Sequence, residues 1–360
     1  MELIDVDDVD VVDMVDIVEN IRIPRQIHIR RNLFNIYSNV EFFRRFRLEK
    51  GTALYLLEKI EHRLEYFHNR NNSISPMNQL LLTLRAYASA GHFVAVGDFV
   101  HADKSTVCKI VSKVSRLIAS IAREFIYMPR NEVEIASAQN KFYDIAGFPR
   151  VIGAIDGCHI KIQSQGGADA EIYRNRKGYF SVNVQAVTSA DLLFQDIVAR
   201  WPGSTHDTTI FRNSRLMHRF NNGDFGNSIL LGDSGYMNLS YLFTPFLNVQ
   251  NDGERNYNRS HVQSRVKVEN LFGVWKRRFP IIAYGCRMKL ENVLCVTVAT
   301  AVLHNLARLR GEPEPPIENL IMEHELQQAI RDGDIPLAAE ENDLGYDYRR
   351  HLVDIYFSRL

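Results

Sequence analysis

Cysteine is scarce, with four in 360 residues, and Cys108, Cys158, Cys286 and Cys295 show no C-x-x-C spacing. That argues against both a disulfide-built secreted scaffold and a structural zinc site. Long apolar runs are missing as well: the longest, Val293 to Leu303, is about half a membrane span and contains two threonines. Residues 1–20 hold eight acids and no base, the reverse of a signal or transit peptide. These absences predict a soluble intracellular protein with no membrane partner. Net charge is zero, from 43 Lys and Arg against 43 Asp and Glu, and only 24% of residues are charged. With 46% hydrophobic residues the chain has enough apolar surface to fold, which excludes disorder of the whole.

The zero is a sum of opposites. Residues 1–20 and 311–360 each carry −8, so residues 21–310 hold 39 bases against 23 acids. A surplus of +16 between acidic ends suits a polyanion partner, or a solvated basic surface with acidic tails that limit sticking. The length suggests two domains. Leu54, Leu57, Ile60 and Leu64, then Leu80, Leu81, Leu84 and Tyr87, recur at helical spacing, and Gly91 breaks the pattern. From about residue 147 short strands are predicted at Val151–Ile155, Tyr179–Val187, Leu192–Ala199 and Ile229–Leu231, with a short fifth at Tyr241–Phe246. Helices return at 260–278 and 291–309, and Pro313, Pro315 and Pro316 mark a linker. The division is an acidic tail (1–20), an all-α module (21–146), a mixed α/β domain (147–310) and an acidic C-terminal region (311–360).

Residues 94–118 read as two helices joined by a tight turn. Asp103 is the N-cap candidate, and Val107, Val111, Val114 and Ile118 face inward. Lys104 opens the second helix, whose outer face carries Ser105, Thr106, Lys109, Ser112, Lys113 and Arg116. Short hydroxyls and long cations there suit a duplex groove, although an ordinary amphipathic helix with solvated lysines has the same pattern.

Carboxylates carry the second signal. Asp156 ends the run Val151–Ile155 and Asp233 follows Ile229–Leu231, each beside a glycine that gives a ligand close access. Glu269 falls among Val266, Leu271, Phe272 and Trp275 of an apolar helix, where it pairs with Arg265 one turn earlier or faces a metal. Gathered carboxylates raise one another's pKa unless a divalent cation neutralises them, and all-oxygen ligands favour Mg²⁺ or Mn²⁺. Two such ions could drive phosphodiester displacement, with Lys276 supplying positive charge towards the substrate. Each acid also has a plainer reading, as a turn former or as a partner of Arg265.

These residues sit in seven ordered motifs: Glu41-Phe42-Phe43-Arg44-Arg45-Phe46-Arg47-Leu48; Val151-Ile152-Gly153-Ala154-Ile155-Asp156-Gly157; Asn175-Arg176-Lys177-Gly178-Tyr179; Trp201-Pro202-Gly203-Ser204-Thr205-His206-Asp207; Leu231-Gly232-Asp233-Ser234-Gly235-Tyr236; Val268-Glu269-Asn270-Leu271-Phe272-Gly273; and Val302-Leu303-His304-Asn305. Over about 40–310 the chain resembles the PIF/Harbinger superfamily of DDE transposases and the nucleases derived from them. The resemblance implies an RNase H-like α/β core, a mixed sheet flanked by helices, whose triad of Asp156, Asp233 and Glu269 binds Mg²⁺ or Mn²⁺. It also implies a DNA-binding helix-turn-helix at about 94–118, although His101 stands in the turn where a glycine is more usual.

Asp207 is a helix cap, the reading preferred here, or an auxiliary metal ligand. Arg176 and Lys177 contact the DNA backbone or are solvated; His206 donates to phosphate or, the preferred reading, is structural; and His304 is a structural core histidine. The implied activity is metal-dependent DNA cleavage, with strand transfer as an extension. A domesticated DNA-binding protein that no longer cuts is the alternative, and a small-substrate phosphatase leaves the basic middle unexplained. The implied partners are double-stranded DNA and a Myb/SANT-like protein docking on residues 1–20 or 311–360, with a homo-oligomer as a further option. The nucleus is the implied location, with the cytoplasm second.

Overall fold

A computed structural model describes residues 31–66, 73–90, 93–167, 169–315 and 348–359. The acidic segment 1–20, residues 316–347 of the acidic C-terminal region, and Gly91 lie outside the described residues.

Local chemistry sets the first helices. α1 (Leu33–Ile36) is followed by α2 (Asn39–Phe46), which opens on a capping box: Ser38 Oγ accepts from the Glu41 N–H, and Glu41 accepts from the Ser38 N–H. It ends at Arg47 in the left-handed region, φ 62°. α3 (Lys50–Ile60) leads to α4 (Pro76–Ala88), which has proline in its first turn and a Ser75 cap. α5 (Phe93–Asp98) and α6 (Lys104–Ser120) are joined by a tight turn, with Asp103 at the N-cap although its side chain makes no capping bond.

That turn depends on Gly97, where a Cβ would stand 2.2 Å from the Ala102 carbonyl oxygen. With this close approach at Gly97, His101 itself adopts the left-handed conformation, φ 51°. α6 buries Val107, Val111, Val114 and Ile118 as expected, and Ile110 and Leu117 with them. α7 (Ala122–Phe125) and α8 (Glu132–Ala146) complete the helical region.

A five-stranded mixed sheet follows, in the order β3-β2-β1-β4-β5. β1 (Val151–Lys161), β2 (Ser181–Thr188) and β3 (Phe194–Pro202) are antiparallel neighbours, whereas β4 (Ile229–Leu231) and β5 (Leu242–Phe243) run parallel to β1 and β4 respectively. The strand expected at Val151–Ile155 continues to Lys161, so Asp156 lies within it and not at its end. The reason is asymmetric pairing: β4 leaves β1 at Ala154, while β2 stays paired from Ala154↔Thr188 to Lys161↔Ser181.

α9 (Asp207–Arg212) and α10 (Arg215–Asn221) bury Phe211, Leu216 and Phe220 against Ile152, Ile155 and Leu230 on one face of the sheet. α11 (Asp252–Arg278) covers the other, setting Val268, Leu271, Phe272 and Trp275 against Ala154, Cys158 and Val184. α12 (Pro280–Tyr284) and α13 (Leu290–Leu309) follow. α13 is long and apolar enough to cross a membrane, yet it is largely buried between α6 and β3. At the end of the chain α14 (Tyr348–Ile355) and Phe357 fold onto α11, with the Phe357 ring 5.5 Å from that of Tyr257.

One apolar cluster runs from Leu33 through α4 and α6 to β1, α11 and α13, so the helical region and the sheet share a core. Two polar stitches cross it. Asn305, fully buried, accepts from the Phe194 N–H and donates to the Phe194 and Phe125 carbonyls at 2.7–2.8 Å. Arg278, at the end of α11, donates to the Arg47 and Pro313 carbonyls and pairs with buried Glu312, which accepts from the Glu49 N–H.

Beside Asn305, fully buried His304 donates from Nε2 to the Leu192 carbonyl at 2.8 Å, a structural histidine as expected, while its Nδ1 is buried with no hydrogen-bond partner among the described residues. Burial drives its pKa down from 6.5 to about 3, against the pull of that hydrogen bond. The unfolded chain therefore protonates first, and this contribution to stability is complete above pH 6.5 and lost as pH falls towards 3. In urea melts at pH 7.5 and 5.0, the stability gap between wild type and His304→Gln is expected to shrink by about 2 kcal/mol at the lower pH. A gap independent of pH would refute the buried neutral imidazole.

Candidate active site

Register places the first two acids. β1 and β4 run parallel with Ala154 beside Leu231, and two residues further along each chain come Asp156 and Asp233. Both lie past that last parallel pair, Asp156 still in β1 and Asp233 in the loop after β4, close enough for the charge of Asp233 to act on Asp156. Each is held by a local bond, Asp156 Oδ1 accepting from the Gly157 N–H at 2.8 Å and Asp233 Oδ1 from the Gly235 N–H at 2.9 Å. Both residues are buried, at 8% and 5% exposure.

Glu269 arrives from the middle of α11, one turn after Arg265. The Arg265 guanidinium donates Nη1 to Asp156 Oδ2 at 2.9 Å and Nη2 to Glu269 Oε1, so one arginine joins the strand acid to the helix acid. The pairing with Glu269 was legible from the spacing; the bond to Asp156 was not.

Asp207 is the fourth acid. It is the first residue of α9, whose N-cap is His206, and its side chain makes no capping bond, which corrects the preferred cap reading. Its carboxylate instead accepts from Asn183 Nδ2 at 2.9 Å and rests against Gly157, where a Cβ would stand 2.3 Å from Asp207 Oδ1. Gln185 donates to the Asp207 carbonyl at 3.0 Å and to the Tyr236 hydroxyl at 2.9 Å, tying α9 to the loop that carries Asp233. Asn183 and Gln185 were overlooked in the sequence. The available signal was polar residues alternating through a strand that is buried along its whole length.

Desolvation decides the electrostatics. Burial, then the neighbouring Asp233, raises Asp156 well above the usual carboxylate range, with Arg265 pulling the other way. Burial, then Asp207, brings Asp233 up to about 6, and burial raises Asp207 against the Asn183 hydrogen bond. Asp233 Oδ2 is buried with no hydrogen-bond partner among the described residues. The donor set is therefore hard oxygen with one acceptor unsatisfied, which suits Mg²⁺ or Mn²⁺ in kind. Among the described residues, however, no three acidic, thiol or imidazole side chains converge closely enough to share an ion. Arg265 lies between two of the acids and is itself their counter-charge.

The basic residues form two groups. Arg176 and Lys177 are exposed in the loop before β2, and Arg176 Nη2 donates to His206 Nδ1 at 2.6 Å. Lys276, expected to offer charge to a substrate, is 2% exposed within α11, because it lies on the side of the helix that covers the sheet. Burial, then the positive charge of Lys276, Lys177 and Arg176, takes the His159 pKa down to about 4, so all three cations are within electrostatic reach of that imidazole.

On α6, Lys104, Ser105 and Lys109 are exposed, and Thr106 and Lys113 are half-buried, Lys113 with its ammonium 5.1 Å over the Tyr66 ring. Of two further residues expected on this outer face, one is buried and the other is exposed but engaged with α13. Ser112 is buried and donates to the Cys108 carbonyl, and Arg116 donates to Asn292 Oδ1 at 3.0 Å and pairs with Glu291. The cause is α13, which covers that flank of α6.

Gly157→Ala is expected to cost about 1–3 kcal/mol of stability by pushing the Asp207 carboxylate aside. In an Asp207→Ala background most of that cost should vanish, read by urea denaturation of the four proteins of the cycle. Additive costs would show that the two residues are not in contact.

Comparison with known proteins follows the same residues. The family model described as DDE superfamily endonuclease matches residues 155–305. "Putative nuclease HARBI1" of Rattus norvegicus is 31% identical over 261 residues, covering 71% of this chain and 74% of that protein. The Homo sapiens protein of the same name is 30% identical over the same shares. "Protein ALP1-like" of Arabidopsis thaliana is 25% identical over 254 residues, 66% of this chain and 62% of that protein. No solved structure matches the chain.

Proposed function

Because the chain belongs to the Harbinger transposase-derived family of DDE superfamily nucleases, we propose that it is a divalent-metal-dependent DNA endonuclease with an RNase H-like catalytic domain at 147–310. The observation that carries this reading is the gathering of buried Asp156 and Asp233 just past the paired ends of β1 and β4, with Glu269 joined to Asp156 through Arg265. Asp156, Asp233 and Glu269 would hold Mg²⁺ or Mn²⁺, with Asp207 as an auxiliary acid fixed by Asn183. When bound, the ions would neutralise the acids, polarise the scissile phosphodiester and lower the pKa of the attacking water or 3′-hydroxyl.

The chain's own residues do the remaining work. Asn183, Gln185 and Gly157 fix the acids' positions; exposed Arg176 and Lys177 bind backbone phosphates; Lys276 adds positive potential from beneath. Hydrolysis nicks the strand, and the same site presents a 3′-hydroxyl for strand transfer. The module 21–146 binds the duplex through the helix-turn-helix at about 94–118, using Lys104, Ser105, Thr106, Lys109 and Lys113. Its recognition helix offers its N-terminal half, the part that reaches base edges in this motif, while its C-terminal half is tied to α13. A Myb/SANT-like protein docking on the acidic ends and a nuclear location, with the cytoplasm second, complete the reading.

The test is cleavage of labelled duplex DNA with Mg²⁺ or Mn²⁺ by wild type, Asp156→Ala and Glu269→Ala. Metal-dependent cutting that both substitutions abolish is the expected result. The second reading, a DNA-binding protein that no longer cuts, is favoured by one observation, the neutralisation of Asp156 and Glu269 by Arg265. Salt-sensitive binding without cutting, even beside a Myb-like partner, would select it.

Lys104→Ala and Lys109→Ala should each weaken duplex binding on any sequence and lower the log-log salt slope by about 1. An unchanged slope in the double variant would place the DNA elsewhere.

A further inference from the structure

Among the described residues, Arg265 is the side chain that bonds two members of the acid set. Its Nη1 bonds Asp156 and its Nη2 bonds Glu269, so its planar fork is divided between a strand and a helix. A structural ion pair one turn apart on a helix would need only Glu269. The reach across to Asp156 brings the guanidinium between carboxylates on two different elements.

We propose that Arg265 is a resident counter-ion, holding Asp156 and Glu269 in place until a divalent cation binds and then giving up both carboxylates to it. The proposal rests on the reading of these acids as a metal site. Three observations support it. First, guanidinium cannot lose its proton in the accessible pH range, so it and a divalent ion cannot share the same two oxygens without direct repulsion of like charges. Second, Arg265 leaves the set incomplete: Asp233 Oδ2, in a residue 5% exposed, has no hydrogen-bond partner among the described residues, and the guanidinium makes no hydrogen bond to it. A cation that took the guanidinium's place would offer Asp233 Oδ2 the partner it lacks once the acids had closed around it. Third, the Arg265 side chain is 19% exposed and that of Glu269 37%, so the guanidinium has solvent beside it to move into.

The consequence is competition. Arg265 stabilises the metal-free protein and weakens its hold on the ion, because each binding event must first break two charge-assisted hydrogen bonds.

The test uses the full chain and Mn²⁺ alone, with bound ion counted from the loss of the free Mn²⁺ electron paramagnetic resonance signal. Arg265→Gln is expected to bind Mn²⁺ roughly tenfold more tightly than wild type, the scale of a lost charge-assisted bond. It should also melt at a lower temperature without metal and show a larger rise in melting temperature on adding Mn²⁺. Arg265→Lys, which keeps the charge but can bridge less well, should fall between the two and serves if the glutamine variant does not fold. Equal or weaker Mn²⁺ binding by both variants would overturn the proposal, because Arg265 would then be organising the acids for the ion. If wild type, Arg265→Gln and Asp156→Asn all bind no more Mn²⁺ than one another, the metal reading itself fails, and this inference with it.

Discussion

Carboxylates withdrawn from water at one end of a sheet need a positive charge, and the architecture is arranged around that need. Asp156, Asp233 and Asp207 are each pushed towards the protonated form by burial. Left alone, such a set would protonate or loosen. In this chain Arg265 supplies part of the compensation and backbone N–H groups supply another part, through Gly157 and Gly235. The glycines that follow the two aspartates therefore have different tasks. Gly157 makes room for Asp207, whereas Gly235 lets its own N–H turn back onto Asp233.

α11 is the element that turns this local arrangement into a global one. Its middle turn carries Arg265 and Glu269 to the acids, while its last turn carries Arg278 to Arg47, Glu312 and Pro313. Between them, Val268, Leu271, Phe272 and Trp275 fix the rotation of the helix against the sheet. A change in how α11 lies would alter both the spacing of the acids and the joint with the N-terminal helices. That coupling explains why buried charge is tolerated at its end: breaking one partner of Arg278 would strand the other inside the protein.

Much of this was legible in the sequence, and the failures have physical causes. Asp156 and Asp233 stood out because continuous apolar runs ended in an acid and a glycine. The extent of β1 was missed because His159 and Lys161 break the apolar pattern, although β2 pairs with both. Asp207 looked like a cap because capping is read from neighbours in sequence, while its true partner, Asn183, comes from another strand. Ser112 and Lys276 were assigned to exposed or substrate-facing positions because a single helix shows one apolar stripe. α6 and α11 are covered on more than one side, by helices distant in the chain or by the sheet. Periodicity reports the first burial surface of a helix and is silent about the second.

The shared core has a consequence for how binding and cutting would cooperate. Flexible linkage between a DNA-binding module and a nuclease lets each find its site independently, at the cost of a search. Here α6 packs directly on α13, α13 packs on β3, and Asn305 bonds both β3 and the end of α7. The same helix that would enter a groove is thus continuous, through packed side chains, with the sheet that carries Asp156. Duplex held by Lys104 and Lys109 would meet the acids at a fixed distance and angle, so the position of the cut would be measured by the protein's own rigid geometry. Arg116 adds a polar contact to the same joint, its exposed side chain donating to Asn292 of α13.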